Sequence, residues 1–364
     1  MHQFTKWFAG ILLVVSFSML TALPVQAEVE VSGSISQNTT WTAINETYLV
    51  TGDITVETGV TLTIEPGVVV LFDSSYAFNV DGRLVAIGSH RAPVDDEEKL
   101  VPADEADVTW IYFTQDTTGA DFADSLRWRG IRFDGSDSGS RLEWVIVENG
   151  YARGDWPDNN GGGALVRVTS VTIQNSIFRN CMADNFGGGL FMWNTASTFQ
   201  NNLVDSCYAG DSGGGIYIDQ APAVTFTNLT MVNNEAGRRI NAQNLGNAIF
   251  FGVNTDPVIR ASIFVNNPTR DDNPIYSINP VDFRYGINSA LAEFDLGTFV
   301  YGRNTAYFSN TEYYTVSDSS KAVDGGPSDD IRWQDEPEPN GGPLGNRINL
   351  GLWGGTPFTA KSLP

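Results

Sequence analysis

Short runs of alternating apolar and polar residues follow one another along most of the chain. Residues 48–56, 59–72 and 78–88 are examples, and each run is broken by glycine or by a Pro-Gly pair. Alternation with a period of two is the pattern of half-buried β-strands, and the turn signals lie too close together to leave room for helices. The pattern therefore predicts an all-β protein built from many short strands.

A fixed repeat organises the middle of the chain. Glycine triplets begin at residues 161, 187 and 213, which gives a period of 26 residues, and the units close on similar phrases at 175–181, 201–207 and 228–234. A period of this length carried by β-type runs is typical of solenoids, in which each repeat packs on its neighbours. We expect a single parallel β-solenoid of about ten coils, from Trp41 to Val300, followed by a last coil and a cap over residues 301–364.

Alignment of the units predicts which residues share a column in successive coils. One column is apolar throughout and should point into the solenoid; it contains Val147, Phe178, Val204, Met231 and Phe264. The column three residues later contains Gly150, Cys181, Cys207, Asn234 and Asn267, and the column before that one contains Asn149, Asn180, Ser206, Asn233 and Asn266. Amides stacked at the inter-strand spacing can pass hydrogen bonds from coil to coil, so we interpret these columns as a ladder that holds a bend.

The chain has two cysteines, Cys181 and Cys207, and they share one column in adjacent coils. The spacing of neighbouring parallel strands lies within the Cα range of a disulfide, although direct stacking strains its dihedral. Two alternatives stay open here, a disulfide and two buried free thiols. Two cysteines without partnered histidines do not form a zinc site.

Residues 1–27 have the features of a secretory signal peptide. Lys6 precedes an apolar run, and small residues lie before a cleavage point after Ala27. We therefore expect a mature protein, residues 28–364, outside the cytoplasmic membrane, either secreted or attached to the envelope, and without a membrane span. The net charge of −22, from 43 acidic and 21 basic residues, disfavours nucleic acid as a partner.

Several segments resemble bacterial secreted right-handed parallel β-helix proteins of the pectin-lyase-like superfamily. The resemblance lies in the opening residues 59–72, in the runs 110–114 and 128–133, and in the closing segments 322–327 and 349–356. The central units, with Gly-Gly-Gly-Leu-Phe at 187–191 and Phe-Val-Asn-Asn at 264–267, are similar to repeats of polymorphic outer-membrane proteins. The resemblance implies a single-stranded right-handed parallel β-helix with a C-terminal cap, and it leaves the function open because the superfamily holds enzymes, adhesins and structural proteins.

Enzymes of the superfamily use an arginine base or paired carboxylates. The segment 254–256 followed by Asp271 and Asp272 resembles part of a polygalacturonase pattern, but the His-Gly and Arg-Ile-Lys parts are missing, and no longer lyase motif is present. The only candidates for catalysis are therefore weakly supported. They are Asp256, Asp271, Asp272, Arg239 and Arg270.

Insertions recur at one phase of the repeat, between the closing phrase of a coil and the next glycine opening. They include residues 151–160, 182–186, 208–212, 235–245 and 268–274. Phase in a solenoid is position around its axis, so these loops should line up as one continuous edge, which we call the loop edge. The candidate binding residues on it are Asp155, Trp156, Asp158, Asp184, Asp211, Arg238 and Arg239.

Five carboxylates lie among glycines and prolines near the C-terminus. They are Asp324, Asp329, Asp330, Asp335 and Glu336. Carboxylate oxygens are ligands for Ca²⁺, so these residues are candidates for a calcium site, with simple solvation of the chain end as the alternative.

Three functions follow from these patterns. The first is binding or adhesion, with the loop edge recognising a glycan or another cell-surface ligand, and the missing catalytic motifs favour it. The second is a polysaccharide lyase or glycoside hydrolase that acts on acidic glycan along the same edge. The third is a structural spacer without a ligand.

Overall fold

A computed structural model describes residues 28–44, 47–90, 108–115, 124–222, 224–237, 245–265, 267, 275–278, 282–288 and 299–301. Its strands, in chain order, are β1 (Val29–Ile35), β2 (Thr39–Trp41), β3 (Thr47–Val56), β4 (Thr61–Ile64), β5 (Val69–Phe72), β6 (Phe78–Val80), β7 (Arg83–Ile87), β8 (Ser89–His90), β9 (Val108–Thr109), β10 (Ile111–Gln115), β11 (Ile131–Asp134), β12 (Ser140–Glu143), β13 (Val145–Glu148), β14 (Tyr151–Ala152), β15 (Ala164–Arg167), β16 (Val171–Gln174), β17 (Ile177–Arg179), β18 (Met182–Ala183), β19 (Leu190–Trp193), β20 (Thr198–Gln200), β21 (Leu203–Asp205), β22 (Tyr208–Ala209), β23 (Ile216–Asp219), β24 (Val224–Thr227), β25 (Thr230–Val232), β26 (Glu235–Ala236), β27 (Ile249–Phe251), β28 (Pro257–Val265), β29 (Ile275–Ser277), β30 (Asp282–Asn288) and β31 (Phe299–Tyr301). A 3₁₀ helix spans Asp124–Leu126.

Parallel pairing arranges these strands in three long stacks that form the faces of a right-handed β-helix. The first stack contains the end of β3, then β6, β11, β15, β19, β23, β27 and β29. The second contains β2, β4, β7, β12, β16, β20, β24 and the start of β28. The third contains the start of β3, then β5, β10, β13, β17, β21, β25 and the end of β28.

Single residues with positive φ make the corners between the stacks. Asn175, Asn201 and Asn228 have φ near +50° between the second and third stacks. After the third stack the same conformation is held by Asn180 and Asn233, among others. Asparagine tolerates the left-handed region better than most residues, which explains why the three repeat phrases begin with it.

The predicted apolar column is confirmed by the strand register. Val147 pairs with Phe178, Phe178 with Val204, Val204 with Met231, and Met231 with Phe264. All five side chains are fully buried. Because one outward-facing and one inward-facing residue alternate along each strand, the inward columns form one continuous core through the solenoid.

The predicted amide ladder is present in part, at Asn234 and Asn267. Asn234 Nδ2 donates to Val204 O at 2.9 Å and to Asn267 Oδ1 at 3.0 Å, while Asn234 Oδ1 accepts from Cys207 N at 3.1 Å. Asn267 continues the chain of bonds by donating to Met231 O at 3.0 Å. Both amides are buried, so these bonds satisfy polar backbone groups at a corner that water does not reach.

Cys181 and Cys207 are buried free thiols, the second of the two alternatives that the sequence leaves open. Cys181 Sγ lies 3.2 Å from Arg179 O and Cys207 Sγ lies 3.4 Å from Asp205 O. Burial raises the pKa of Cys207 well above its usual value, with Cys181 as the next cause. Both thiols lie in the hydrophobic core, in the coils next to the amide ladder.

The predicted signal peptide and C-terminal cap lie outside the described residues. In the part of the chain that the structure describes, no helix is both long and apolar enough to cross a bilayer.

Candidate functional site

The loop edge exists for the insertions that the structure describes. A four-stranded parallel sheet of β14, β18, β22 and β26 stacks the starts of four of them, and an isolated parallel bridge joins Phe186 to Ser212. The loop edge runs beside the first stack, because each insertion ends where the next strand of that stack begins.

The outward column of the first stack changes character along the solenoid. Register aligns Thr55, Asn79, Arg132 and Leu165 in successive coils. From there the column becomes aromatic and continues through Phe191, Tyr217, Phe250 and Tyr276. The polar half and the aromatic half therefore present different chemistry on one face.

Two adjoining cavities lie over the polar half, and together we call them the cleft. Their volumes are about 230 and about 280 Å³. Both are lined by Asn79, Arg132 and Asp158. The first cavity is also lined by Asp53, Ala77 and Arg129, and the second by Thr55, Asp81, Asp134 and Leu165.

Arg132 is the buried centre of the cleft. Arg132 is only 5% exposed although its side chain points outward from β11, because the loop at 155–161 folds back over it. Nη1 donates to Gly161 O at 2.9 Å and to Arg129 O at 3.2 Å, and Nη2 donates to Asn160 O at 2.8 Å and to Pro157 O at 3.4 Å. Burial lowers the pKa of Arg132 to about 10, opposed by the charges of Asp158 and Asp134, so the guanidinium is cationic at neutral pH.

The other two arginines of this region are held in ion pairs. Arg129 Nη2 lies 3.2 Å from both carboxylate oxygens of Asp53, and Arg167 Nη2 lies 2.7 Å from Asp134 Oδ2. Asp81 and Asp158, by contrast, are exposed, and no described residue forms an ion pair with them. The cleft therefore offers free carboxylates, while its guanidinium groups already have partners.

Trp156 is the large exposed aromatic residue beside the cleft. It is 54% exposed, and its ring stands at 89° to that of Trp193 with centroids 6.5 Å apart. The guanidinium of Arg167 lies 4.9 Å from the ring centroid, and the same arginine pairs with the cleft residue Asp134. With Arg167 against the ring and more than half of the residue exposed, Trp156 has aromatic surface left for stacking.

Two other candidates from the sequence, Asp184 and Asp211, lie further along the loop edge and bond locally. Asp184 Oδ1 accepts from the Tyr151 hydroxyl at 2.6 Å. Burial, followed by this hydrogen bond, raises the pKa of Tyr151 to about 12. Asp211 Oδ1 accepts from Ser212 Oγ at 2.8 Å. Neither carboxylate lines the cleft, whereas Asp158 does.

The aromatic half of the column is a stack of rings. Phe191 and Tyr217 lie 5.4 Å apart, Tyr217 and Phe250 4.7 Å, and Phe250 and Tyr276 5.1 Å, with interplanar angles of 13° or less. Phe186 of the loop edge also stacks on Tyr217 at 4.5 Å. Since the ring faces contact one another, this ladder stabilises neighbouring coils and leaves little face for a ligand.

The weak catalytic candidates are not brought together among the described residues. Asp256 is exposed in the turn between β27 and β28, at the corner between the first and second stacks, whereas the loop edge lies at the corner between the third and first stacks. Arg239, Arg270, Asp271 and Asp272 lie outside the described residues, as do Arg238 and the calcium candidates Asp324, Asp329, Asp330, Asp335 and Glu336. Within the described ranges, no group of three or more His, Cys, Asp or Glu side chains could hold a metal ion.

The sequence pattern does not identify most of the cleft. Asp53, Asn79, Asp81, Arg129, Arg132 and Asp134 come from coils that precede the regular repeat, and they meet Asp158 only through the register of the first stack. A usable signal does exist, since Asn79 and Arg132 are polar residues at outward positions, each between two apolar residues of its strand.

Residues 128–290 match the family model described as a right handed beta helix region. Searches of curated proteins and of solved structures gave no match to this chain. The family match and the three parallel stacks together show that the chain forms a right-handed parallel β-helix.

Proposed function

We propose that this protein binds a glycan in the cleft, with Trp156 stacking on a sugar ring. The observation that carries the proposal is the position of Trp156, exposed and held against Arg167 beside a cavity lined by amide, carboxylate and guanidinium groups. Sugar recognition uses this combination, because the apolar face of the ring stacks on an aromatic surface while the hydroxyls bond to planar polar groups.

The charges favour a neutral or amino sugar over a uronate. A ligand carboxylate would find Arg129, Arg132 and Arg167 already bonded, and it would be repelled by Asp81 and Asp158. Hydroxyl or ammonium groups would donate to those two carboxylates. An acidic glycan is therefore less favoured as the ligand than a glycan of neutral or amino sugars.

Export is part of the same proposal. Residues 1–27 resemble a signal peptide, and a glycan at a cell surface or in the surroundings is the ligand that an exported β-helix would meet. Adhesion through that glycan is the biological role that we favour over a structural spacer, since a spacer does not require the exposed tryptophan or the cleft.

The test measures binding by calorimetry to three matched oligosaccharide series, one neutral, one with free amines and one of uronates. We expect binding to the first two and at least a tenfold loss in Trp156→Ala, equivalent to about 1.4 kcal/mol. Tyr276→Ala is the control, because Tyr276 is an exposed aromatic residue of the first stack that does not line the cleft. Equal affinities in the two variants, or no binding to any series, would overturn the proposal.

Hydrolysis of the bound glycan is the second candidate, favoured by the four carboxylates around one cleft, Asp53, Asp81, Asp134 and Asp158. Glycosidases use two such groups, one to protonate the leaving oxygen and one to activate water or attack the sugar. New reducing ends that form with the unmodified protein and disappear in Asp158→Asn would establish this activity. Binding without new ends leaves recognition as the function.

A further inference from the structure

The loop that carries Trp156 and Asp158 is attached to the β-helix by hydrogen bonds and by the contacts of Trp156 with Trp193 and Arg167. Asn160 Nδ2 donates to Pro157 O at 2.9 Å and its Oδ1 accepts from Phe186 N at 3.1 Å, which ties the end of the loop to the next coil. The front of the loop, including Trp156 and Asp158, is exposed, and Trp156 contacts Trp193 and Arg167 there. Hydrogen bonds to the carbonyls of Pro157, Asn160 and Gly161 hold the rest of the loop to the sheet.

Arg132 supplies those bonds from below. Three of its four acceptors, the carbonyls of Pro157, Asn160 and Gly161, belong to the loop, and the fourth, Arg129 O, belongs to the segment that leads into β11. A guanidinium is suited to this because its donors form a rigid planar fork, whereas an ammonium is a point donor on a flexible stem. The Arg132 side chain therefore fixes the loop at 155–161, which carries the cleft residue Asp158, to β11.

We infer that Arg132 is a positioning residue of the glycan site, which holds the loop at 155–161 so that Trp156 and Asp158 face the ligand together. The inference rests on the proposed function for its ligand, but the anchoring of the loop is measurable without one. Arg132 acts through the loop, because the hydrogen bonds of its Nη1 and Nη2 go to backbone carbonyl oxygens, three of them in the loop.

The experiment compares Arg132→Met with Arg141→Met in the full-length protein. Arg141 also points outward from a strand of the same coil and pairs with Glu143, but it lies on the second stack and contacts no part of the loop. Hydrogen exchange read by mass spectrometry should show faster exchange in Arg132→Met at residues 155–161 and unchanged exchange in β15 and β19. Arg141→Met should leave both regions unchanged.

Affinity for the neutral oligosaccharide series provides the second measurement. We expect at least a tenfold weaker affinity in Arg132→Met, partial recovery in Arg132→Lys, and no change in Arg141→Met. Unchanged exchange at 155–161 in Arg132→Met would overturn the inference that Arg132 anchors the loop, whether or not a glycan binds. Faster exchange with unchanged affinity would overturn the positioning role. If the unmodified protein binds no glycan while exchange still rises, the proposed function fails and the anchor stands.

Discussion

At the scale of single residues, the solenoid depends on polar side chains that are buried at its corners. Asn234 illustrates this, because its amide bonds to Val204 O, Asn267 Oδ1 and Cys207 N and thus links three successive coils. An apolar residue of similar size would leave the carbonyl of Val204 and the amide of Cys207 without these partners in a region closed to water.

We therefore expect Asn234→Ala to lower the free energy of unfolding by about 3 kcal/mol, since each buried group left unbonded costs roughly 1–3 kcal/mol. Thr225→Ala is the control, because Thr225 is exposed on the second stack and surface changes usually stay within about 0.5 kcal/mol. A urea titration followed by circular dichroism measures both. Equal midpoints for the two variants would show that the amide ladder contributes nothing to stability.

The residues of the core and the corners were predictable from the sequence, and those of the cleft, apart from Asp158, were not. Val204, Met231 and Phe264 follow from alignment of the repeats, because a column in a periodic solenoid keeps its environment from coil to coil. Arg132 does not follow, because its burial is imposed by the loop at 155–161, which no local pattern connects to β11. The contacts of an insertion do not repeat from coil to coil. Periodicity therefore predicts the position of an insertion around the axis, but not the residues that it contacts.

At the scale of elements, the glycine triplets let neighbouring coils approach closely just before β15, β19 and β23 of the first stack. A Cβ on Gly188 would overlap the carbonyl oxygens of Gly214 and Tyr208, which belong to the following coil. The space is therefore limited by backbone, and a side chain that moves aside does not relieve the overlap. This explains why the triplet recurs with the period of the coil.

Gly188→Ala should accordingly destabilise the protein far more than Gly59→Ala. Gly59 has φ of +79° and nothing within 4 Å of its Cβ position, so alanine there costs only the left-handed conformation, about 1–2 kcal/mol. Gly188 has no positive φ, and alanine there instead creates a steric overlap with backbone that only separation of two coils can relieve. Thermal unfolding followed by circular dichroism compares them, and a melting temperature for Gly188→Ala at or above that of Gly59→Ala would contradict the packing argument.

At the scale of the whole molecule, the net charge of −22 acts against the compact state. The 43 acidic residues outnumber the 21 basic ones, and the ion pairs around the cleft, such as Arg129 with Asp53 and Arg167 with Asp134, neutralise only a small part of the excess. Repulsion among the remaining carboxylates is relieved by unfolding, and dissolved salt screens it over a Debye length of about 10 Å at 0.1 M.

Adding salt should therefore raise the melting temperature, and the identity of the salt separates screening from binding. Sodium chloride and sodium sulfate at equal ionic strength share the screening effect, and the additional rise in melting temperature with sulfate measures the exclusion of sulfate from the surface.

Calcium chloride at the same ionic strength should give the same shift in melting temperature as sodium chloride if Ca²⁺ only screens. A larger shift with calcium that saturates at low concentration would indicate a specific site, because a ligand that binds only the native state stabilises it by mass action. Since the described residues include no cluster of three or more His, Cys, Asp or Glu side chains that could hold a metal ion, such a shift would direct attention to Asp324, Asp329, Asp330, Asp335 and Glu336. Their replacement by the corresponding amides should abolish it.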